Sequence, residues 1–574
     1  ISDFEGGPES FARDWTTWPP DPANTVGTVA VKPSIGATSS AGLHVTLRQP
    51  PAGPWPDWHI YHLPNLEILR GQRYRVSFWA KAEPARDLTV AVYRPGNPFV
   101  LLGGPPGAFE AQIQMAAQAG VDFVSFPIDL PWPAPGQTAD WTAVDHACAQ
   151  VLQANPRALL IPRFGAEPPE WWRQAHPEAV MTWDDGSQQH HAVVASPISY
   201  FDRGMGGSAP AMTAAESIVL AGKLWLVEDD TRTHLGTGNF PGAIDGARDG
   251  EETLAMLRRN VAQEATRNFA TWWMDLAMTG WFNDPRLWEE MKRLENVDRL
   301  FLDQPLPFKP QVAAVIDEQS MLATSASAWT VTEPGIYQVR RPLGRLGAPY
   351  GQYLLDDVLR GRVAARLYVF LNAWHLSAAQ RRTLDRHTRH AFRIWCYAPG
   401  LYDTNRESPE AMRELTGFRL APVSPPRAWA TPTAAGRQLG LQNAFGVEAA
   451  VTPLFAAADA APHEILATYP DGSPAVAMRK TGRGCSLFVG APGLSSDLLR
   501  LAARRAGVHL YTQTDCNVYD NGPILALHAA QDGPVALDTG RRAPVYDALS
   551  GHALGNGPAL NLSLKKGETR VLRH

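Results

Sequence analysis

Cysteine is scarce in this chain of 574 residues: Cys148, Cys396, Cys485 and Cys516 are all there are. They lie far apart and form no C-x-x-C pair, which speaks against a zinc ribbon or a dithiol redox motif. Each reads as a small buried hydrophobe. No uninterrupted apolar run reaches the length of about 18 residues that a membrane-spanning helix needs. Basic charge is not in excess either: 52 Lys and Arg stand against 57 Asp and Glu, a formal net charge of −5. A nucleic-acid partner calls for a basic face, so that class is set aside. Adjacent His190 and His191 would point to opposite sides of a strand and make a poor metal pair, so no metal site is expected. The chain opens on Ile1 with neither Met nor a signal peptide, the pattern of a processed product or a fragment.

What is abundant is tryptophan. There are 19, several of them close together: Trp15 and Trp18, Trp55 and Trp58, Trp171 and Trp172, Trp272 and Trp273. Flat aromatic rings stack on the C–H faces of sugars, and Trp-rich clefts suit carbohydrate, although a single Trp is more often a core residue. Pro (49) and Gly (48) fit a loop-rich enzyme. With 45% apolar residues, packed cores are affordable, and at about 150 residues per domain the length implies three to five domains.

The pattern along the chain predicts a multidomain α/β protein. Residues 1–97 show short alternating runs at Thr28–Val31, Gly42–Leu47, Arg73–Ala80 and Leu88–Tyr93 with turn residues between them, and read as an all-β sandwich. Over 98–306 strands and helices alternate. Strands are expected at Val121–Ile128, Ala158–Phe164, Val193–Ser199, Leu224–Asp230 and Phe269–Leu276. Helices are expected at Phe109–Gly120, Val144–Ala154, Met212–Ala221 and Glu251–Arg267, with another opening at Arg286–Arg293. Such alternation calls for parallel strands covered by helices, as in a (β/α)₈ barrel. Only five strand–helix units are counted, in about 200 residues where a closed barrel takes about 250. Residues 307–508 form a second α/β unit of flavodoxin-like order, and 509–574 a second small β-sandwich. No Gly-rich phosphate loop opens a helix in the second unit, so a nucleotide cofactor is not expected.

Polar side chains gather where these strands end, which is where barrels place their chemistry: Asp129, Arg163, Tyr200, Asp202, Glu228, Asp230 and Asp275. The strongest segment is LWLVEDDTRTH, Leu224 to His234. Alternation puts Leu224, Leu226, Glu228 and Asp230 on one face, and two acids at i and i+2 raise at least one proton affinity unless a cation compensates. Trp273 is expected to form a sugar platform, with Trp132, Arg163, Tyr200, Asp202, Asp230 and Asp275 lining the site. Asp202 and Arg203 also read as a structural pair.

Several segments resemble the β-galactosidase superfamily of glycoside hydrolases, close to family 42: GGPPGAFEAQ (103–112), AGVDFVSFP (119–127), PPEWWRQAHPE (168–178) and the Glu228 segment. DFEGG near the start and GQRYRVSFWAKAE (71–83) resemble carbohydrate-binding modules. VAAVIDEQS (312–320) and GAPYGQYLLDDVL (347–359) resemble that family's trimerisation domain. The resemblance implies a retaining enzyme on β-linked glycosides, working outside the cytoplasm or in the periplasm without cofactor or metal. Its partners would be oligo- or polysaccharide, and its assembly a homotrimer. It makes Glu228 the nucleophile, at the end of the seventh barrel strand. The acid/base Glu that the family carries after its fourth strand has no counterpart here; Glu167 and Asp185 are the candidates for a surviving general acid. The break falls near residues 191–204, as though strands three to five were absent. A degraded hydrolase that binds glycan without cleaving it is the alternative reading. A Cys-dependent acyl-cleaving enzyme is disfavoured, because Cys396 sits on no strand-to-helix elbow.

Overall fold

A computed structural model describes residues 4–18, 26–37, 40–48, 58–64, 75–84, 88, 90–92, 100–102, 108–129, 131–165, 169–176, 181–182, 188–189, 196–197, 199, 201–236, 246–275, 280–303, 306–325, 328–404, 406–482 and 484–574. The chain divides into two compact units, one of Ile1–Gly107 with Leu235–Ile244 and one of Ala108–His234 with Asp245–His574.

The first unit departs from the all-β expectation. It opens with helix α1 (Gly7–Asp14), followed by β1 (Trp15–Trp18), β2 (Gly27–Pro33), β3 (Ala41–Leu47), β4 (His59–His62), β5 (Val90–Val92) and β6 (Val100–Leu102). Among the described residues the strands form three separate antiparallel ladders, β1 with β4, β2 with β3 and β5 with β6, rather than two packed sheets. Among the described residues, 75–80 of the expected strand Arg73–Ala80 form no strand. The helix was not legible because its single amphipathic turn pair, GPESFARD, is shorter than the window in which a helical period shows.

The second unit begins with the strand–helix alternation the sequence implied. Its elements are α2 (Ala108–Gln118), β7 (Phe123–Asp129), α3 (Thr142–Ala154), β8 (Leu159–Gly165), α4 (Glu170–Ala175), the short hairpin β9 (Met181–Thr182) and β10 (Gln188–Gln189), then β11 (Ser196–Pro197), α5 (Ala215–Leu220), β12 (Leu226–Asp229), α6 (Gly250–Thr266), β13 (Ala270–Trp273) and α7 (Pro285–Asp303). Strands β7 and β8 pair in parallel, and so do β11, β12 and β13, giving five parallel strands in two sheets among the described residues. Val124, Phe126 and Ile128 of β7 are buried against α2 and α3 together with Ile113 and Val151. Helix α6 starts where Asp249 accepts a hydrogen bond from the Glu252 amide (2.9 Å), a side-chain cap that satisfies an otherwise orphaned donor. It packs on α7 through Leu257, Val261, Leu287 and Met291.

Beyond α7, five parallel strands run in the spatial order Tyr350–Leu354, Val312–Ile316, Leu367–Phe370, Phe392–Cys396 and Gly484–Val489. That is the 2-1-3-4-5 order of flavodoxin-like sheets. Four antiparallel strands extend it: Pro474–Thr481, Ile465–Thr468, Ala428–Pro432 and Phe445–Val447. The strand Tyr350–Leu354 lies just before the helix expected there, and its Gly351 hid it. The chain ends in antiparallel strands: a five-stranded sheet from Cys516–Asn521 to Thr569–Arg573 and a separate pair, Gly533–Asp538 with Ala559–Leu564. All four cysteines are free thiols.

Candidate active site

The site grows from the register of β12 on β13. Leu226 pairs with Ala270, Val227 with Thr271, Glu228 with Trp272 and Asp229 with Trp273. In-register residues of parallel strands share a face, so Glu228 and Trp272 point one way and Asp229 and Trp273 the other. The second direction is the helix layer. There Val227 is buried with Ala215 and Phe269, and Asp229 takes hydrogen bonds from Asn260 Nδ2 on α6 (3.0 Å to each oxygen). The first direction is the interior of the strand arc.

Arg163, from β8, reaches across that interior. Its Nη1 lies 3.6 Å from Glu228 Oε2 and 3.2 Å from Met274 Sδ, and its guanidinium carbon sits 4.7 Å from the centre of the Trp272 ring. One cation thus touches three groups of two other strand ends. Glu228 is buried, and burial pushes its carboxyl above the ordinary glutamate value. The Arg163 charge opposes that push, Asp230 adds to it, and Arg203 opposes it more weakly. Arg163 is itself lowered by desolvation, with Glu228 acting the other way. At 3.6 Å the pair is an ion pair rather than a hydrogen bond, which leaves the carboxylate oxygens free to act on another group.

The other expected residues fall elsewhere. Asp230 is wholly buried and forms an ion pair with Arg203. Asp202, with φ at 61°, is saturated: Oδ2 accepts from the Ser208 amide (2.9 Å) and hydroxyl (2.8 Å), and Oδ1 from Arg341 Nε (2.7 Å). The expected Asp202–Arg203 pair is therefore replaced by two others, each with a distant partner. Asp275 accepts from Gln112 Nε2 (3.1 Å) and from the amides of Gly280 (2.7 Å) and Trp281 (3.1 Å), tying α2 to the loop after β13. Trp273, the expected sugar platform, is half-buried and packs edge-on against Trp288 of α7, ring centres 6.1 Å apart. Trp272 faces Glu228 in its stead. One residue of register decides between them. Trp132 stands at the surface beyond β7, edge-on to Trp172 at 6.2 Å, and Trp172 in turn lies 4.5 Å from the His176 ring. Tyr200, Glu167 and Asp185 lie outside the described residues.

The loop after β11 is held from several directions. Arg259 of α6 donates to the carbonyls of Arg203 (2.7 Å), Gly204 (2.7 Å) and Gly207 (3.3 Å). Asn517 and His528, from the C-terminal sheet, take the Gly206 and Gly207 backbone: Asn517 Nδ2 donates to both carbonyls (3.1 and 3.2 Å), and the Gly206 amide donates to His528 Nε2 (2.8 Å). Burial, with Arg259 and Arg345 nearby, holds His528 well below the ordinary histidine value, which keeps that nitrogen an acceptor. A side chain at Gly207 would meet the Asp202 carbonyl at 2.3 Å, so the turn needs glycine there. Arg203, whose charge meets Asp230, rides on this loop.

Cys396 offers no competing nucleophile. It is buried, and burial pushes its thiol up to about 12, so the thiolate is not formed at neutral pH.

No family model matches the chain, and no curated protein matches it. Among solved structures, the chain is similar to the β-galactosidase from Bacillus circulans sp. alkalophilus at 10% identity, over 82% of this chain and 97% of that one, with a TM-score of 0.49. It is similar to a GH42 β-galactosidase from G. stearothermophilus at 10% identity, over 82% and 96% of the two chains, with a TM-score of 0.49. An exo-β-1,4-mannosidase from Opitutaceae bacterium strain TAV5 matches at 12% identity, over 70% and 90%, with a TM-score of 0.40.

Proposed function

We propose that the chain is a retaining glycoside hydrolase acting on β-linked glycosides, β-galactosidase-like in its substrate class, with Glu228 as nucleophile. The observation that carries this reading is the trio of Glu228, Arg163 and Trp272: a buried carboxylate at a parallel strand end, an arginine 3.6 Å from it, and an indole on the same face. Glu228 would attack the anomeric carbon as the leaving oxygen takes a proton from a second carboxyl group. That group would then draw a proton from water, which displaces the sugar from Glu228. Retaining chemistry places the two carboxyls about 5–5.5 Å apart. Asp230 is excluded from the second role by its pairing with Arg203, and Glu167 and Asp185 are the carboxylates assigned to it for testing. Arg163 holds Glu228 ionised and oriented. Trp272 supplies the apolar wall against which a pyranose ring lies, and Trp132 a more distant stacking surface.

The test is hydrolysis of aryl β-galactosides and related aryl glycosides by the full chain, wild type against Glu228→Gln, Glu167→Gln and Asp185→Asn. Turnover abolished by Glu228→Gln, and restored to one of the other two variants by added azide, supports the proposal. Turnover indifferent to Glu228→Gln overturns it. Absence of turnover in the wild type, with retained polysaccharide binding, would instead make the chain a non-catalytic glycan binder.

A further inference from the structure

The C-terminal sheet breaks its own alternation at one place. On the strand Cys516–Asn521, Cys516, Val518 and Asp520 share a face, and the first two lie in the apolar core of the C-terminal strands. Leu525, the cross-strand partner of Asp520, lies in that core as well. A carboxylate thus stands where the pattern calls for an apolar side chain. Next to it is His574, which follows the strand Thr569–Arg573. The His574 side chain is 2% exposed and that of Asp520 15%. Asp520 Oδ1 lies 3.8 Å from His574 Nε2, too far for a hydrogen bond. Among the described residues, neither that oxygen nor either ring nitrogen of His574 has a hydrogen-bond partner. Buried polar groups in this condition cost free energy, and native folds hold few of them without a use.

Asp520 lines a cavity of about 140 Å³, whose walls include Phe308, Pro310, Pro349, His509 and Tyr511. His509 is engaged already, with Nε2 on the Asp538 carbonyl (3.0 Å) and its ring edge-on to Tyr511 at 4.6 Å. It serves as wall. Burial raises the Asp520 carboxyl, while a hydrogen bond from Tyr511 and the charges of Arg541 and His509 oppose the rise. A space of about 150 Å³ holds one six-membered ring. The charges around it narrow the choice of ring. Asp520 and Asp538 stand against Lys309 on the wall and Arg541 beside it, so neither a free anion nor a free cation is favoured. A neutral ring fits, with C–H faces for Phe308 and the two prolines and a hydroxyl at its edge to donate to Asp520 Oδ1.

We propose that this corner binds one pyranose monosaccharide, its ring against Phe308, Pro310 and Pro349 and a hydroxyl on Asp520, with Tyr511 and His574 holding that carboxylate in place. The site is separate from Glu228 and is tested without an activity assay. Hydrogen–deuterium exchange of the full chain is followed with D-galactose, D-glucose or D-mannose at up to about 50 mM, because a ligand of a dozen heavy atoms binds with about millimolar strength. At least one sugar should slow amide exchange at least threefold in residues 306–311 and 519–524, in wild type and Glu228→Gln alike. Glycerol, a polyol without a ring, should not do so at the same concentration. Asp520→Leu, similar in size but without the acceptor, should abolish the protection. If none of the three sugars protects these two segments in the wild type, the proposal is overturned, whatever the variant does to folding. Protection that glycerol matches, or that a folded Asp520→Leu retains, overturns it too.

Discussion

Asp298 lies half-buried on α7, and desolvation, with Glu295 nearby, raises its carboxyl from 3.8 to about 7. Its charge also reaches Glu264 of α6, which burial holds well above the ordinary value. The native chain therefore binds a proton at Asp298 that the unfolded chain has already released between about pH 3.8 and 7. Stability contributed by this site is full below pH 3.8, declines as pH rises to about 7, and stays at its lower level beyond. At about 1.4 kcal/mol for each tenfold change in proton affinity, the deficit at pH 8 is on the order of 4 kcal/mol, an upper value because the side chain keeps some contact with water. Asp298→Asn keeps the shape of the protonated acid and removes the charge. The variant should match wild type at pH 3.5 and exceed it by up to about 4 kcal/mol at pH 8. Urea unfolding followed by tryptophan fluorescence at both pH values measures the difference, taken from the transition that melts α6 and α7. Equal stability of the two proteins at pH 8, or a gain independent of pH, would refute the argument that burial of this charge is what costs.

Arg163→Met should move the acid limb of kcat/KM to higher pH, because the nearest cation that holds the Glu228 proton off is gone; a limb that stays in place or shifts down counts against the pairing. Trp272→Ala and Trp273→Ala should separate: the first lowers kcat/KM with little loss of stability, the second costs on the order of 3 kcal/mol through lost packing on Trp288. Thermal melts and kinetics on the pair decide it, and equal kinetic losses would return Trp273 to the site. Asp202→Ala should cost about 2 kcal/mol by stripping the Ser208 amide and hydroxyl of their acceptor, with KM unmoved in the same preparation.

Local grammar carried much of this architecture. The run Leu224–Asp230 declared its strand because apolar residues at successive positions ended abruptly in acids, and β12 lies inside it. The Glu251–Arg267 period likewise contains nearly all of α6. What escaped was whatever depends on a partner far along the chain. FATWWMDL contains two adjacent tryptophans, and no local rule says which faces inward. That is settled by the pairing of Trp272 with Glu228, forty-odd residues upstream. Asp202 looked like a ligand because acids at strand ends often are, yet its partner Arg341 lies in another part of the fold. Asp230 shares a strand alternation with Glu228, but the chain turns after Asp229 and hands it to Arg203. Short helices such as Gly7–Asp14 leave too few residues for a period to register.

The loop that carries Arg203 is gripped by Asn517 and His528, more than three hundred residues downstream. A proteolytic nick or an early stop that removed the last sixty residues would therefore reach the neighbourhood of Glu228 without touching it. The turn would lose two of its anchors and keep those from Arg259 and Asp202, which loosens the ground on which the Arg203–Asp230 pair stands. In a protein wired this way, harm to the surroundings of Glu228 can enter through the tail.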